Sequence, residues 1–233
     1  MIVNGFWYGK EIDELSIYCI QSWIKKGFEF HLWSYNKTQV EGAITKNASL
    51  ILKKDQYFTY DGGHSAGSPV AFSNLFRAEL LYQKGGLYVD LDMLCVNAFN
   101  FSDKRFVFSK QGHNAMDWLE SKYGKKLSVA TSIIYSKNKG EKIFKEWLKN
   151  INELRINKIK HGDLGPDLFT KLVIENKLEK YLYNKEYFCP ADFYNFSHLL
   201  ERKYNSWTVH LYSSMWKEEH YYKLKLLKEL YGY

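Results

Sequence analysis

The stretch "GGLYVDLD", residues 85–92, sets Asp90 and Asp92 one residue apart, directly after an apolar run. Aspartate is a poor strand former, so two of them at the end of an expected strand ask for a chemical reason. Side chains two apart on a strand point to one face, about 7 Å from each other. Two carboxylates held that way repel, and a shared cation relieves the repulsion. Hard oxygen ligands at an open site suit Mg2+ or Mn2+ bridging phosphate oxygens, and such an ion acts as a Lewis acid on a leaving diphosphate. The spacing alone is weak evidence: with 26 acidic residues in 233, acid-x-acid recurs roughly three times by chance. The plain alternative is a solvated strand end.

Other residues could join this chemistry. Arg77 and Tyr82 lie on the helix just upstream. His210 follows "WTV" on an expected strand; it is either a structural histidine or an imidazole that completes a metal's shell or binds a diphosphate. Asp163 and Asp167 flank Gly165-Pro166, which reads as a helix start whose free N–H groups can face an anion or a hydroxyl. Helix capping is the competing role for both acids. The loop "DGGHSAGSP" lacks the phosphate-loop pattern, and there is no G-x-S-x-G elbow.

Alternating elements must position these groups. "IVNGFWY" reads as a first strand, "EIDELSIYCIQSWIKKG" as a helix ended by Gly27, and "FEFHLWSY" as a second strand. Pro69 opens a helix through "PVAFSNLFRAELLYQKGG", which Gly85-Gly86 stops. Further on, "RFVFSK" and "LSVATSIIYSK" read as strands, and "EKIFKEWLKNINEL" and "GPDLFTKLVIEN" as helices. The pattern predicts an α/β fold with a mostly parallel sheet covered on both faces. Ligands in such sheets bind at the carboxyl ends of strands, where Asp90 and Asp92 are expected.

Bulk properties narrow the class. A chain of 233 residues with 45% hydrophobic and 18% aromatic content supports one sizeable domain and excludes disorder. The net charge of +7 comes almost wholly from lysine and suits an anionic partner. The lysines are scattered and no recognition motif is present, which argues against nucleic acid. Cys19, Cys95 and Cys189 show neither zinc spacing nor a disulfide framework and read as reduced cytosolic thiols. No secretory signal or membrane-length apolar run is visible, so the expected location is cytoplasmic. The last helix, "WKEEHYYKLKLLKELYGY", carries an apolar stripe of Tyr221, Leu224, Leu227, Leu230 and Tyr231. That stripe faces either the core or the inner surface of a membrane.

From Ser73 to Asp92, "SNLFRAELLYQKGGLYVDLD" resembles the signature of the DXD-containing sugar-binding glycosyltransferases, S-D-L-x-R…L-Y…G-G-x-Y-x-D-x-D. Ser73, Leu75, Arg77, Leu81, Tyr82, Gly85, Gly86, Tyr88, Asp90 and Asp92 fall in register. "FWYG" is similar to the family's I-W-x-G, "GPDLFT" to its G-P-x-x-x-T, and "HLYSSMW" to its C-terminal H…S-W element. The group includes initiating mannosyltransferases, capsule and lipopolysaccharide enzymes and, more distantly, the large clostridial glucosylating toxins.

The resemblance implies a single domain over 1–233 with the GT-A fold, a Rossmann-like nucleotide-sugar-binding sheet with helices on both faces and a C-terminal amphipathic helix. It implies a Mn2+ or Mg2+ ion, a nucleotide-sugar donor (a UDP-hexose) and transfer of the hexose, with retention, to a glycan or lipid-linked glycan hydroxyl in bacterial capsule or lipopolysaccharide synthesis. Peripheral membrane contact would suit such an acceptor. Carried over by position, Asp92 ligates the metal, Asp90 holds the ribose and supports the metal, and His210 completes its shell. Arg77 binds the donor sugar or adjacent phosphate, Ser73 and Asn74 lie at the donor sugar, Trp7 stacks on the base, and Ser214 with Trp216 closes over the diphosphate. Asp163 and Asp167 become the acceptor-side acids, though retaining transfer needs no strong base if the departing diphosphate takes the acceptor's proton. Two departures stand out: Asn74 replaces the family's aspartate, and Thr131-Ser132 an asparagine. A toxin-like protein glycosyltransferase and a non-catalytic nucleotide- or glycan-binding module are the alternatives.

Overall fold

The computed structural model describes residues 1–63, 65–111, 127–191, 198–201, 203–215 and 220–232. The first apolar run is strand β1 (Ile2–Trp7), followed by helix α1 (Glu14–Lys25) and strand β2 (Glu29–Ser34). Asp13 caps α1 by accepting from the Ser16 N–H at 2.8 Å, and Gly27, at φ +83°, ends it. Strand β3 (Ile44–Asn47), which the sequence pattern did not reveal, pairs in parallel with β2.

Helix α2 (Val70–Lys84) leads through Gly85 into β4 (Gly86–Val89). The short β5 (Met93–Cys95), β6 (Phe106–Lys110) and β7 (Val129–Ser136) follow, then helices α3 (Lys142–Leu154) and α4 (Pro166–Glu175). Strands β8 (Leu182–Tyr183) and β9 (Thr208–His210) and helix α5 (His220–Tyr231) complete the described elements.

Seven strands form one sheet in the order β3-β2-β1-β4-β7-β6-β8. All run parallel except β7, which is antiparallel to both of its neighbours. Side-chain alternation along β1 sends Phe6 to one face and Val3 to the other. Phe6 packs with Phe72 and Phe76 of α2, Trp147 of α3 and Phe169 of α4. Val3 packs with Ile20 and Trp23 of α1. The expected mostly parallel sheet with both faces covered is what forms. Strands β5 and β9 stand apart as a two-stranded antiparallel ribbon, with Met93 opposite His210 and Cys95 opposite Thr208.

One expectation is corrected. Asp90 and Asp92 are not on a strand: β4 ends at Val89, and the chain turns through residues 90–93 with the Met93 N–H bonded to the Asp90 carbonyl at 3.1 Å. The two-residue strand alternation therefore does not hold there, and the carboxylates go to different partners. Of the apolar stripe of α5, Leu224, Leu227 and Tyr231 are buried against Leu15, Tyr18 and Cys19 of α1, and the Tyr18 hydroxyl donates to the Leu227 carbonyl at 3.1 Å. Leu230 is partly buried against the same cluster, and the side chain of Tyr221 lies outside the described residues. Among the described residues no helix is long and apolar enough to cross a membrane. The three cysteines are free and buried.

Gly85 is the hinge between α2 and β4. It sits at φ 68°, ψ −152°, and a Cβ there would lie 3.0 Å from the Ser136 carbonyl oxygen and from backbone atoms of Asn138. A side chain is excluded both by conformation and by neighbouring backbone that cannot yield. Gly85→Ala is expected to destabilise the fold by about 2–3 kcal/mol, read as a lower urea midpoint with an unchanged slope.

Candidate active site

The turn at residues 90–93 leaves the carboxyl end of β4, and the Asp90 N–H is fixed by the Ser132 carbonyl of β7 at 2.8 Å. Arg77 comes from the second turn of α2 and is 4% exposed. Its Nη2 donates to Asp90 Oδ1 at 2.6 Å and its Nη1 to the Thr131 carbonyl at 2.8 Å. The Tyr88 hydroxyl also donates to Asp90 Oδ1, at 3.3 Å, and its ring lies under the guanidinium, 5.0 Å from centroid to Cζ. Burial pushes the Asp90 carboxyl above its ordinary range, Arg77 opposes that, and Asp92 adds to it.

Asp92 is held by the ribbon and the segment after it. Its carbonyl accepts from the Leu211 N–H at 3.0 Å. Its Oδ2 accepts from the Ser213 N–H at 2.9 Å and the Ser213 hydroxyl at 3.0 Å, and its Oδ1 lies 3.3 Å from His210 Nε2. Tyr212 adopts φ +49° between these partners; this left-handed residue turns the chain so that the Ser213 N–H faces the carboxylate. Burial works against the charge on Asp92, yet His210 and the Ser213 hydrogen bonds hold its pKa down at about 2. Burial likewise works against a charged His210, and Asp92 overrides it, raising the imidazole to about 10. The two form a buried ion pair.

Three buried nitrogens have no hydrogen-bond partner among the described residues: Trp7 Nε1, Arg77 Nε and His210 Nδ1. Buried donors are rarely left so, and all three lie on residues singled out for donor or metal binding. Among the described residues no three His, Cys, Asp or Glu side chains close around a common point. Two carboxylates and an imidazole would suit a divalent cation once the Asp92–His210 pair opens and the ring gives up its proton, since only a neutral imidazole has a lone pair to offer. Mg2+-type ions take only one or two carboxylates and complete their shell with phosphate oxygens and water.

Residues 13–107 match the glycosyltransferase sugar-binding region containing a DXD motif. The matched stretch contains Arg77, Asp90 and Asp92. The chain's fold is similar to that of the PaToxG glycosyltransferase, at 12% identity over 99% of this chain and 84% of that one, with a TM-score of 0.50. Weaker likenesses are to the galactosyltransferase LgtC solved with donor and acceptor sugar analogues (11% identity, 99% and 96% coverage, TM-score 0.48) and to the glycosyltransferase GlyE of Streptococcus pneumoniae (14%, 79% and 45%, 0.38). The search of curated proteins finds no match. The fold is GT-A.

The fold brings Arg77, Asp90, Asp92 and His210 together at the end of β4. Arg77, however, spends both terminal nitrogens inside the protein, so it orients Asp90 and the β7 backbone, and only Nε is unused. Ser73 is partly buried, with its hydroxyl bonded back to the Val70 carbonyl at 2.7 Å. Asn74 does not reach outward: it is 3% exposed, its Nδ2 donates to the Tyr60 hydroxyl and the Val70 carbonyl, and Gly165 closes over its Oδ1. Asn74 joins α2 to Tyr60 and to the start of α4. Trp7, at the end of β1, is half-buried, packs beside the α1-side core and has Gly9 folded against its indole edge.

At the other element ends, Ser214 is exposed, and its neighbour Ser213 is the serine on Asp92. Nothing in the doublet "SS" distinguishes the two; the backbone sign at Tyr212 does. Trp216 lies outside the described residues. Asp163 accepts from the Lys160 N–H at 2.7 Å and so closes the turn at 160–163; the N-cap of α4 is Gly165, with no side-chain hydrogen bond to it. Asp167 is in the first turn of α4, with its carboxylate against the Cα of Gly162. Among the described residues it has no hydrogen-bond donor. Burial, then the charge of Asp163, raises it from 3.8 to about 6.

An acid raised in the folded state adds stability below its ordinary pKa and loses that contribution as pH climbs through its folded value. Asp167 therefore weighs on the fold above pH ~6. Asp167→Asn is expected to gain about 1–2 kcal/mol over the parent between pH 4 and pH 8, after allowance for the group's partial exposure. Urea melts of both proteins at the two pH values measure it.

Proposed function

We propose that this glycosyltransferase moves a hexose from a nucleotide sugar, UDP-linked, to a hydroxyl of a glycan or lipid-linked glycan, with a divalent cation and with retention of configuration. The observation that carries the reading is the paired arrangement at the end of β4. Asp90 is oriented by Arg77 and Tyr88, and Asp92 by Ser213 and His210, on a turn that opens at the ligand-binding end of the sheet. Asp92, His210 and Asp90 would hold Mn2+ or Mg2+, which when bound supplies Lewis-acid stabilisation to the leaving diphosphate.

The chain's own residues supply pre-organisation. Arg77, anchored to Thr131, keeps Asp90 from swinging toward Asp92 and leaves its Oδ2 for the donor side. Ser213 fixes one oxygen of Asp92 and directs the other toward His210. Trp7 Nε1, buried and unpaired, is the atom we assign to the nucleotide, with the indole beside the base. Asp167, protonated more readily than an ordinary aspartate, is placed at the acceptor side as a hydrogen-bond partner for the incoming hydroxyl. Hydrogen bonds directed in advance at developing charge are the largest contribution such a site makes. The single domain spans residues 1–233, and three buried free thiols suit a reducing cytoplasm. There it would build capsule or lipopolysaccharide precursors.

Incubating the protein with Mn2+ and a panel of UDP- and GDP-sugars should release free nucleotide slowly from one donor. Silence across the panel with donor binding intact would make the chain a binding module. Asp92→Asn is expected to lower that release by at least about 100-fold while the fold, followed by circular dichroism, persists; full activity would remove Asp92 from the site. Trp7→Ala should raise KM for the donor with kcat nearly held.

A further inference from the structure

A cavity of about 380 Å3 opens between the end of α1, the exit of β5 and the last turn of α5. Lys26, Val96, Asn97, Lys203, Tyr204, Asn205 and Tyr231 line it. We propose that this cavity is a second binding site, for a small phosphate-bearing molecule of sugar-phosphate size.

Its chemistry is one-sided. Lys26 and Lys203 bring two positive charges, and none of these lining residues is acidic. Lysine ammoniums bind phosphate as compact point charges with three donors each. The polar wall is held in place: Asn97 Nδ2 donates to the Ser206 carbonyl at 2.7 Å and to Asn205 Oδ1 at 3.4 Å. Asn205 is exposed and lines the cavity beside that bond. The Tyr231 hydroxyl accepts from the Tyr204 N–H at 3.1 Å, which fixes a ring that Lys203 approaches to 5.9 Å. A tyrosine ring and two amides beside paired ammoniums suit a polyol carrying a phosphate better than a bare apolar ligand. The volume falls within the lower part of the range for small-molecule sites.

The cavity is also wired to the donor site. The β5/β9 ribbon has Asp92 and His210 at one end; at the other, the Trp207 carbonyl accepts from the Val96 N–H at 2.8 Å, beside the Asn97–Ser206 bond. One hydrogen-bonded ribbon thus joins the two places.

The test needs no turnover and is independent of the donor chemistry. Inorganic phosphate and glucose 1-phosphate are titrated into the full chain by calorimetry at constant ionic strength, with chloride as the control anion. Saturable binding of glucose 1-phosphate, tighter than that of phosphate, is expected. It should weaken about tenfold in each of Lys26→Ala and Lys203→Ala. Asn205→Leu, at an exposed position, should also weaken it and keep the fold. Absence of saturable binding, or binding equal in parent and variants, overturns the proposal. A vesicle arm distinguishes the source of the phosphate: retention on phosphatidylglycerol vesicles without binding of glucose 1-phosphate would also overturn it.

Discussion

Two partly buried carboxylates one residue apart are unstable unless each finds its own compensation. That constraint organises the site. The idealised interaction of two like charges at a few ångströms is far larger than any single hydrogen bond returns, so Asp90 and Asp92 must diverge. The turn after β4 separates them, α2 sends Arg77 to the first, and the β9 segment sends His210 and Ser213 to the second. Each partner arrives from a different element, so the site exists only when the sheet, α2 and the ribbon are all in place.

The same constraint explains why so much of the neighbourhood is fixed. Arg77 is useful to Asp90 only because Thr131 of the antiparallel strand β7 takes its other terminal nitrogen. Ser213 meets Asp92 only because Tyr212 tolerates a left-handed backbone. Glycine at 85 lets α2 end directly against the Ser136 carbonyl of β7 and the backbone of Asn138. These are positioning devices, and each departs from ordinary backbone or side-chain preference at the place where function needs it.

Much of the architecture was legible in the residues. Periodicity placed β1, α1, β2, α2, β4, β6, β7, α3 and α4, because each has an apolar stripe of clear period or a glycine stop. The short strands β3, β5 and β8 escaped because two to four residues carry no period. The register "GGLYVDLD" located the donor end of the sheet and the motif named the chemistry. It could not show that Arg77 spends both terminal nitrogens on Asp90 and Thr131 or that Asn74 is buried against Tyr60, because a motif records which residues recur and not where their hydrogen bonds go.

Local sequence was thus sufficient for the kind of sheet, the location of the two aspartates and the class of reaction, since these follow from side-chain pattern and residue type over a single continuous stretch. The partners of those aspartates were decided by three-dimensional packing. His210 and Ser213 are more than a hundred residues from Asp92, and Thr131 more than fifty from Arg77. No local preference encodes such pairings. They arise when β5 and β9 join and when β7 inserts antiparallel beside β4, bringing carbonyls and donors from distant segments to the same few ångströms.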